Sequence, residues 1–288
     1  MAPTIDVLGL NISTYALMAF LGFVAFVIYL FAVVMREKRY DMGFCLGILG
    51  VSAVGAVVLY VGALGFDIVF MSIERGKFFV GSITWLGGVI TVLLLLPTVI
   101  HFLVPKDKGS ALDRVSTMMP GLALTHAFGR VGCFLGGCCH GEPTDSFLGV
   151  VFPAGSSAGR LYPDYWSNDY VINEAGRVFF PSVPVLPTQL IEATFELLLF
   201  IVMIAFYKRL KHYNIEIYCF AYGAFRFVLE FIRGDTRGET GLFLTPSQLM
   251  SIILWIIATL IILYKKNIIF KKTYAKSEQW REEAEEKI

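Results

Sequence analysis

YCFAYGAFRFVLEFIR (218–233) is apolar enough to cross a bilayer, and yet it carries Arg226, Glu230 and Arg233. A charge at bilayer depth costs about 2.5–3.5 kcal/mol on insertion scales, so it is retained where it has a task. The i, i+4 spacing sets Arg226 and Glu230 on one helix face, with Arg233 one turn further along. A second apolar stretch, LALTHAFGRVGCFLGGCCHG (122–141), contains Arg130. Two arginines at membrane level point to an anionic substrate held inside the bilayer.

The remainder of the chain fits an all-α membrane protein. Hydrophobic residues make up 56% of the 288 and charged residues only 16%, and the net charge of +1 gives no footing for nucleic acid. Runs approaching or exceeding the roughly 20 apolar residues needed to cross about 30 Å of hydrocarbon predict seven spanning helices. They fall near 14–35, 44–66, 81–104, 115–136, 187–208, 213–232 and 246–264. The first lacks a basic leader and a small-residue cleavage site, and reads as an uncleaved anchor. Alternate connections hold Arg36, Lys38 and Arg39, then Lys106, Lys108 and Arg114, then Lys208, Arg209 and Lys211, then the lysine-rich tail. Together these contain 16 of the 24 basic residues. The positive-inside rule makes them cytoplasmic, with the N-terminus outside, the C-terminus inside and the 137–186 and 233–245 connections facing outward.

Residues 1–264 thus form one polytopic domain and 265–288 a cytoplasmic polar tail. The insertion 137–186, rich in Gly, Pro, Asp and aromatics, predicts a small extracytoplasmic cap with strand-like pieces at LGVVF and RVFF. The stretch 67–80 is short and polar, and predicts a segment along the outer interface. PTQL (187–190) and PSQL (246–249) each open a helix on the outer side, where proline suits the first turn. They are either two helix starts or two amides, Gln189 and Gln248, at the rim of a substrate cavity.

The densest polar constellation closes the fourth helix: His126, Gly129, Arg130, Gly132, Cys133, Gly136, Gly137, Cys138, Cys139, His140 and Gly141. Glycines in a spanning segment permit close helix approach. Arginine offers a planar fork matched to phosphate oxygens, although a carboxylate such as Glu192, Glu196 or Glu230 satisfies it equally well. Three readings of Cys133, Cys138 and Cys139 stand side by side: a soft metal site, a disulfide, or small packing residues. Adjacent cysteines rarely both ligate one ion, and no second cysteine pair follows, so the sequence favours packing, with no metal and no cofactor. Cys45 and Cys219, in apolar runs, read as packing too.

Taken together, STYALMAFLGF, GSITWLGGVITV, LDRVSTMMPGLALTHAFGRVGCFLGG, PTQLIE and YGAFRFVLEFIRGD resemble the bacterial prolipoprotein diacylglyceryl transferases from about Tyr15 to Leu249. The resemblance implies a multi-pass enzyme of the bacterial cytoplasmic membrane that takes diacylglyceryl from phosphatidylglycerol. It attaches the group to the lipobox cysteine thiol of a lipoprotein precursor, and glycerol phosphate leaves. It further implies Arg130, Arg226 and Tyr15 as essential residues and Gly141 as the glycine closing the signature. Glu230, Arg233, Gln189, Gln248, Gly87 and Gly88 would line the substrate.

The chain also departs from that pattern. Leu86, Gly87, Gly88 stand where the family has histidine-glycine-glycine. Gly132, Cys133, Phe134, Leu135, Gly136, Gly137, Cys138 stand where it has GNFxNxE. His126 and His140 are the replacements on hand for proton transfer, and His140, beside the glycine-rich turn, is the expected one. These departures fit a divergent member with the same reaction or a paralogue with another acceptor. A non-enzymatic lipid-binding or transport protein is the third reading, for which only the short PxQL echo speaks.

Overall fold

The computed structural model describes residues 4–7, 10–36, 42–80, 83–103, 111–235, 240 and 243–266. The long elements are α1 (Thr14–Arg36), α2 (Met42–Arg75), α3 (Trp85–Leu103), α4 (Ala111–Leu135), α6 (Thr188–Ala205), α8 (Asn214–Leu229) and α9 (Pro246–Lys265). Between them lie the short helices α5 (Ser157–Leu161) and α7 (Tyr207–Leu210). A long helix occupies each of the seven stretches predicted to span. Among the described residues, four of these helices contain segments long and apolar enough to cross a membrane: Thr14–Val33, Gly50–Arg75, Thr188–Ala205 and Pro246–Lys265. Large apolar side chains such as Phe20, Val57, Leu94, Ile201 and Ile256 stay exposed, while Arg130, Glu192, Glu196 and Arg226 are buried. That is the distribution of a protein whose surroundings are themselves apolar.

The boundaries differ from expectation in three places. Asp67–Arg75 does not lie apart as an interfacial segment but continues α2. The helix stops only at Gly76, whose φ of +62° suits a left-handed C-terminal cap. The sixth predicted span gives way after Leu229 to a 3-10 turn, Glu230–Ile232, and Arg233 is extended (φ −83°, ψ 138°). Arg233 therefore does not prolong the helix face of Arg226. The fifth span ends at Ala205 because Phe206 leaves helical geometry (φ −103°, ψ 21°), and nothing in the sequence marks that break. The tail from 267 onward, Lys38, Arg39, Lys106, Lys108 and the side chain of Cys45 lie outside the described residues.

The chain divides into two compact units. One comprises Met1–Ile28, Gly121–Phe200 and Val228–Thr236. Here β1 (Thr4–Val7) and β2 (Leu10–Ser13) form an antiparallel hairpin in which Val7 faces Leu10. No strand was predicted in residues 4–13. The helical parts of this unit meet closely: Thr125 Oγ1 donates to the Gly22 carbonyl at 3.1 Å. A Cβ on Gly132 would stand 3.2 Å from the Tyr15 Cα. The 137–186 insertion contains one small ladder, β3 (Val171–Ile172) with β4 (Val178–Phe179). LGVVF supplies only a bridge, Val150 to Val185. Phe152, Ala158 and Val185 form its core, with Phe134 edge-on to Phe152 at 5.7 Å.

The other unit comprises Tyr29–Pro120, Ile201–Phe227 and Arg237–Ile288. Small residues seat α2 on α3: a Cβ on Gly88 would meet the Leu59 carbonyl at 2.6 Å, and one on Gly87 would meet Phe66 at 2.5 Å. Polar anchors complete the unit. Trp85 Nε1 donates to Tyr218 at 3.1 Å, Tyr29 donates to the Thr117 carbonyl at 2.8 Å, and Lys265 pairs with Glu216 at 2.6 Å. Thr245 and Gln248 form a reciprocal capping box at the start of α9, with Pro246 in the first turn.

Candidate active site

Arg130 sits four residues after His126 on α4, so the two share a helix face, and both are buried. Arg130 Nε donates to His126 Nε2 at 3.1 Å, and Arg130 Nη2 lies 2.9 Å from Glu192 Oε1. On the opposite side of the imidazole, His126 Nδ1 is 2.8 Å from Glu196 Oε1. An arginine Nε can only donate, so His126 Nε2 must accept, and the ring proton resides on Nδ1 and is given to Glu196. The tautomer follows from the partners. Glu192 and Glu196 are themselves one turn apart on α6, so two i, i+4 pairs interlock. Of the partners open to Arg130 in the sequence, the structure supplies a carboxylate, and adds a histidine that orients the guanidinium.

Downstream, α4 ends in a double turn. Gly137 has φ +70°, its N–H donates to the Phe134 carbonyl at 3.2 Å, and the Cys138 N–H returns to the Cys133 carbonyl at 3.1 Å. These are the paired bonds of a Schellman cap. Cys139 is also left-handed, at φ +63°. Two side chains from the start of α6 hold this turn. Gln189 Nε2 donates to the Cys138 carbonyl at 2.6 Å, and Thr188 Oγ1 to the Cys139 carbonyl at 2.8 Å. Gln189 thus braces the cysteine turn, whereas Gln248 is engaged in its own helix cap.

The sulfurs of Cys133, Cys138 and Cys139 lie within 4.8 Å of one another, which is the spacing of a metal-ligating set. The sequence reading had favoured packing alone. Tyr15, partly exposed in the first turn of α1, packs across Gly132 and lies within electrostatic reach of Cys133 and Arg130.

His140 follows the turn and is fully buried. Its Nδ1 is 3.0 Å from the Gly141 carbonyl, its ring meets Tyr162 edge-on at 5.7 Å, and its Nε2 has no hydrogen-bond partner among the described residues. Gly141 is the node of a three-chain knot. Its N–H donates to the Leu186 carbonyl at 2.8 Å, the Glu142 N–H to Ile232 at 3.2 Å, and the Gly234 N–H to His140 at 3.2 Å. Tyr162 Oη donates to the Gly234 carbonyl at 3.2 Å. Burial, together with the nearby carboxylates of Glu142 and Asp235, raises the Tyr162 phenol above its ordinary range and keeps it a donor. Arg233 Nη2 holds Asp235 through both carboxylate oxygens, at 2.5 and 2.7 Å, and Glu230 Oε2 stands 4.0 Å from its Nε.

In the second unit Arg226 Nη2 donates to Ser247 Oγ at 2.7 Å, with both residues buried. Gly87 and Gly88 face α2, and Leu86 is buried beside them. Sequence reasoning missed His126 as the residue that orients Arg130, and it missed Ser247. The i, i+4 signals His126–Arg130 and Glu192–Glu196 were available for the first. For the second, PSQL marked the segment, but as a helix start or a rim amide at Gln248 and not as a partner of Arg226.

Across residues 3–264 the chain matches the family model described as prolipoprotein diacylglyceryl transferase. The chain belongs to the prolipoprotein diacylglyceryl transferase family. It is 31% identical over 262 residues to phosphatidylglycerol–prolipoprotein diacylglyceryl transferase 2 of Clostridium perfringens, covering 87% of this chain and 90% of that one. It is 28% identical over 264 residues to the enzyme of Clostridium tetani, with 86% and 90% covered. The Stenotrophomonas maltophilia enzyme is 29% identical over 212 residues, with 72% and 68% covered.

Proposed function

We propose that this chain transfers diacylglyceryl from phosphatidylglycerol to the cysteine thiol of lipoprotein precursors, as the names of its relatives state for them. The observation that carries the reading is the oriented Arg130, set beside Tyr15 and the cysteine turn in a segment that the family match spans. The thiol sulfur attacks a glyceryl carbon, the carbon–oxygen bond to phosphate breaks, and glycerol phosphate departs with the electron pair. Charge builds on the phosphate as it leaves, so a fixed guanidinium beside it lowers the barrier. Five N–H donors in a rigid fork allow one arginine to hold a carboxylate and a ligand oxygen together. Arg226, steadied by Ser247, is the second arginine that the resemblance implies as essential, and the glycines Gly87 and Gly88 admit α3 close to α2. Arg130 contributes a positive field that favours thiolate, and the lone pair of His140 Nε2 is the acceptor for the thiol proton.

The direct test supplies the purified protein with phosphatidylglycerol and a lipobox peptide. A thioether-linked diglyceride on the peptide cysteine is the expected product, and none should form on a serine peptide. Absence of product with active lipid and peptide would refute the assignment.

The same reading places all seven long helices across the cytoplasmic membrane, with the N-terminus and the 137–186 cap outside and the basic connections inside. In a variant lacking the five native cysteines, single cysteines at Asp164 and Thr240 are expected to react with an impermeant thiol reagent in whole cells. One at Lys108 should remain unlabelled until the cells are lysed. Labelling at Lys108 in intact cells would reverse the orientation.

A further inference from the structure

A thiol with a pKa near 8.5 is only slightly ionised at neutral pH, and the reaction proposed above is a thiol alkylation that needs the thiolate. The family's third-helix histidine is replaced here by Leu86, which is buried and cannot take a proton. At the same time the signature segment has gained three cysteines. Neither change has a rationale taken alone.

From the geometry of these sulfurs we infer that Cys133, Cys138 and Cys139 bind a thiophilic divalent cation, zinc by its chemistry, with a fourth position open to the substrate thiol. Tetrahedral zinc with Zn–S bonds of about 2.3 Å sets its sulfurs about 3.8 Å apart. Cys138 Sγ and Cys139 Sγ are 3.6 Å apart, and all three sulfurs lie within 4.8 Å. The usual objection to neighbouring cysteines is that an extended dipeptide sends its side chains to opposite sides. Here the Schellman cap brings Cys138 back over Cys133, and the left-handed Cys139 turns its sulfur to the same side. Thr188 and Gln189 hold the carbonyls of that turn, so the arrangement is fixed before any ion arrives. Cys133 and Cys139 are buried and Cys138 is half-buried, which provides a dry pair of ligands and one accessible side.

Three protein ligands and one open position characterise a catalytic rather than a structural zinc centre. A thiol that coordinates such an ion is deprotonated outright, its proton passing to water, so under this inference the ion replaces His140 as the means of ionising the thiol. The bound thiolate then forms the carbon–sulfur bond as the carbon–oxygen bond to phosphate breaks. The phosphate oxygen keeps the electron pair, no electrons are exchanged with the ion, and the neutral thioether, a poorer ligand, leaves. The identity of the fourth ligand rests on the transferase reading; the three-cysteine site does not.

The experiment uses the full chain in lipid nanodiscs, dialysed against zinc and then freed of loose metal. The expected result is about one zinc per chain, falling about tenfold or more in Cys133→Ser and in Cys138→Ser. Cys219→Ser, in the other unit, should retain it. Replacing zinc by cobalt should produce thiolate-to-cobalt charge-transfer absorption. A cysteine lipobox peptide should intensify and shift that absorption, and a serine peptide should not. Zinc-free protein with three titratable thiols, or with a disulfide among them, would overturn the site. Metal bound without a response to the cysteine peptide would overturn its role toward the acceptor. Metal and peptide response without lipid transfer would confirm the site and refute the transferase assignment instead.

Discussion

Arg130→Lys is expected to lower transferase turnover by about 100-fold or more, the effect of losing one well-aimed donor at a developing anion, while protein still accumulates in the membrane. Lysine preserves the charge but not the fork. It cannot donate to His126 Nε2 and meet Glu192 Oε1 in the geometry that Nε and Nη2 achieve at 3.1 and 2.9 Å. Arg226→Lys should behave likewise, because Ser247 Oγ is matched to a planar Nη2 at 2.7 Å. Arg233→Lys should cost less, since Arg233 meets Asp235 through Nη2 alone, a one-point contact that an ammonium can also make. Turnover is measured with phosphatidylglycerol and peptide, and accumulation by quantifying the protein in washed membranes.

The competing explanation is that Arg130 exists only to neutralise Glu192. Removing one member of a buried pair costs about 3–5 kcal/mol, whereas replacing both by apolar residues is often neutral. Arg130→Leu combined with Glu192→Leu should therefore restore accumulation lost in Arg130→Leu alone. If the arginine serves the lipid phosphate, turnover in the double variant stays at the level of the worse single variant. Recovery of turnover together with accumulation would make Arg130 an ion-pair partner and nothing more.

What the sequence disclosed and what it withheld divide along physical lines. Apolar runs and their basic flanks located all seven long helices, because length and hydropathy act locally. The end of α2 was misplaced because Asp67 and Glu74 look like a departure from the apolar phase. Only Gly76, with its positive φ, stops the helix. Arg233 was placed on the wrong surface because helix periodicity was carried past Leu229, where pairing of the Gly141 region with Arg233 draws the backbone into extension. His126 was legible as a polar residue in an apolar helix, but its role was not. That role depends on Glu196 reaching it from α6, a separation of 70 residues. The cysteines are a further case: their spacing in sequence does not convey that the three sulfurs lie within 4.8 Å of one another, an approach that depends on the left-handed Gly137 and Cys139.

Gly141→Ala is expected to damage stability and turnover together, which separates it from the arginine variants. A Cβ at Gly141 would lie 2.8 Å from the Ile232 carbonyl oxygen, 2.8 Å from the Leu186 Cβ and 2.9 Å from the Leu186 carbonyl oxygen. Two of these three are backbone atoms in chains that the Gly141 and Glu142 amides bond directly, so they cannot yield without breaking the knot. Gly234 packs against the same spot, where a Cβ would meet the Gly141 carbonyl oxygen at 2.5 Å. Overpacking of this kind costs about 1–3 kcal/mol in an ordinary core, and here it also shifts His140 and Arg233, which flank the knot. A loss of that size lowers steady-state abundance several-fold in cells. Gly129→Ala is the control, because among the described residues nothing outside its own helix backbone lies within 4 Å of a Cβ there. In a helix interior that change gains up to about 1 kcal/mol of propensity. Thermal unfolding of the two variants in the same detergent should show Gly141→Ala melting well below the parent and Gly129→Ala at or above it. Equal melting temperatures would mean that the strand-like knot at Gly141 does not hold this part of the protein together.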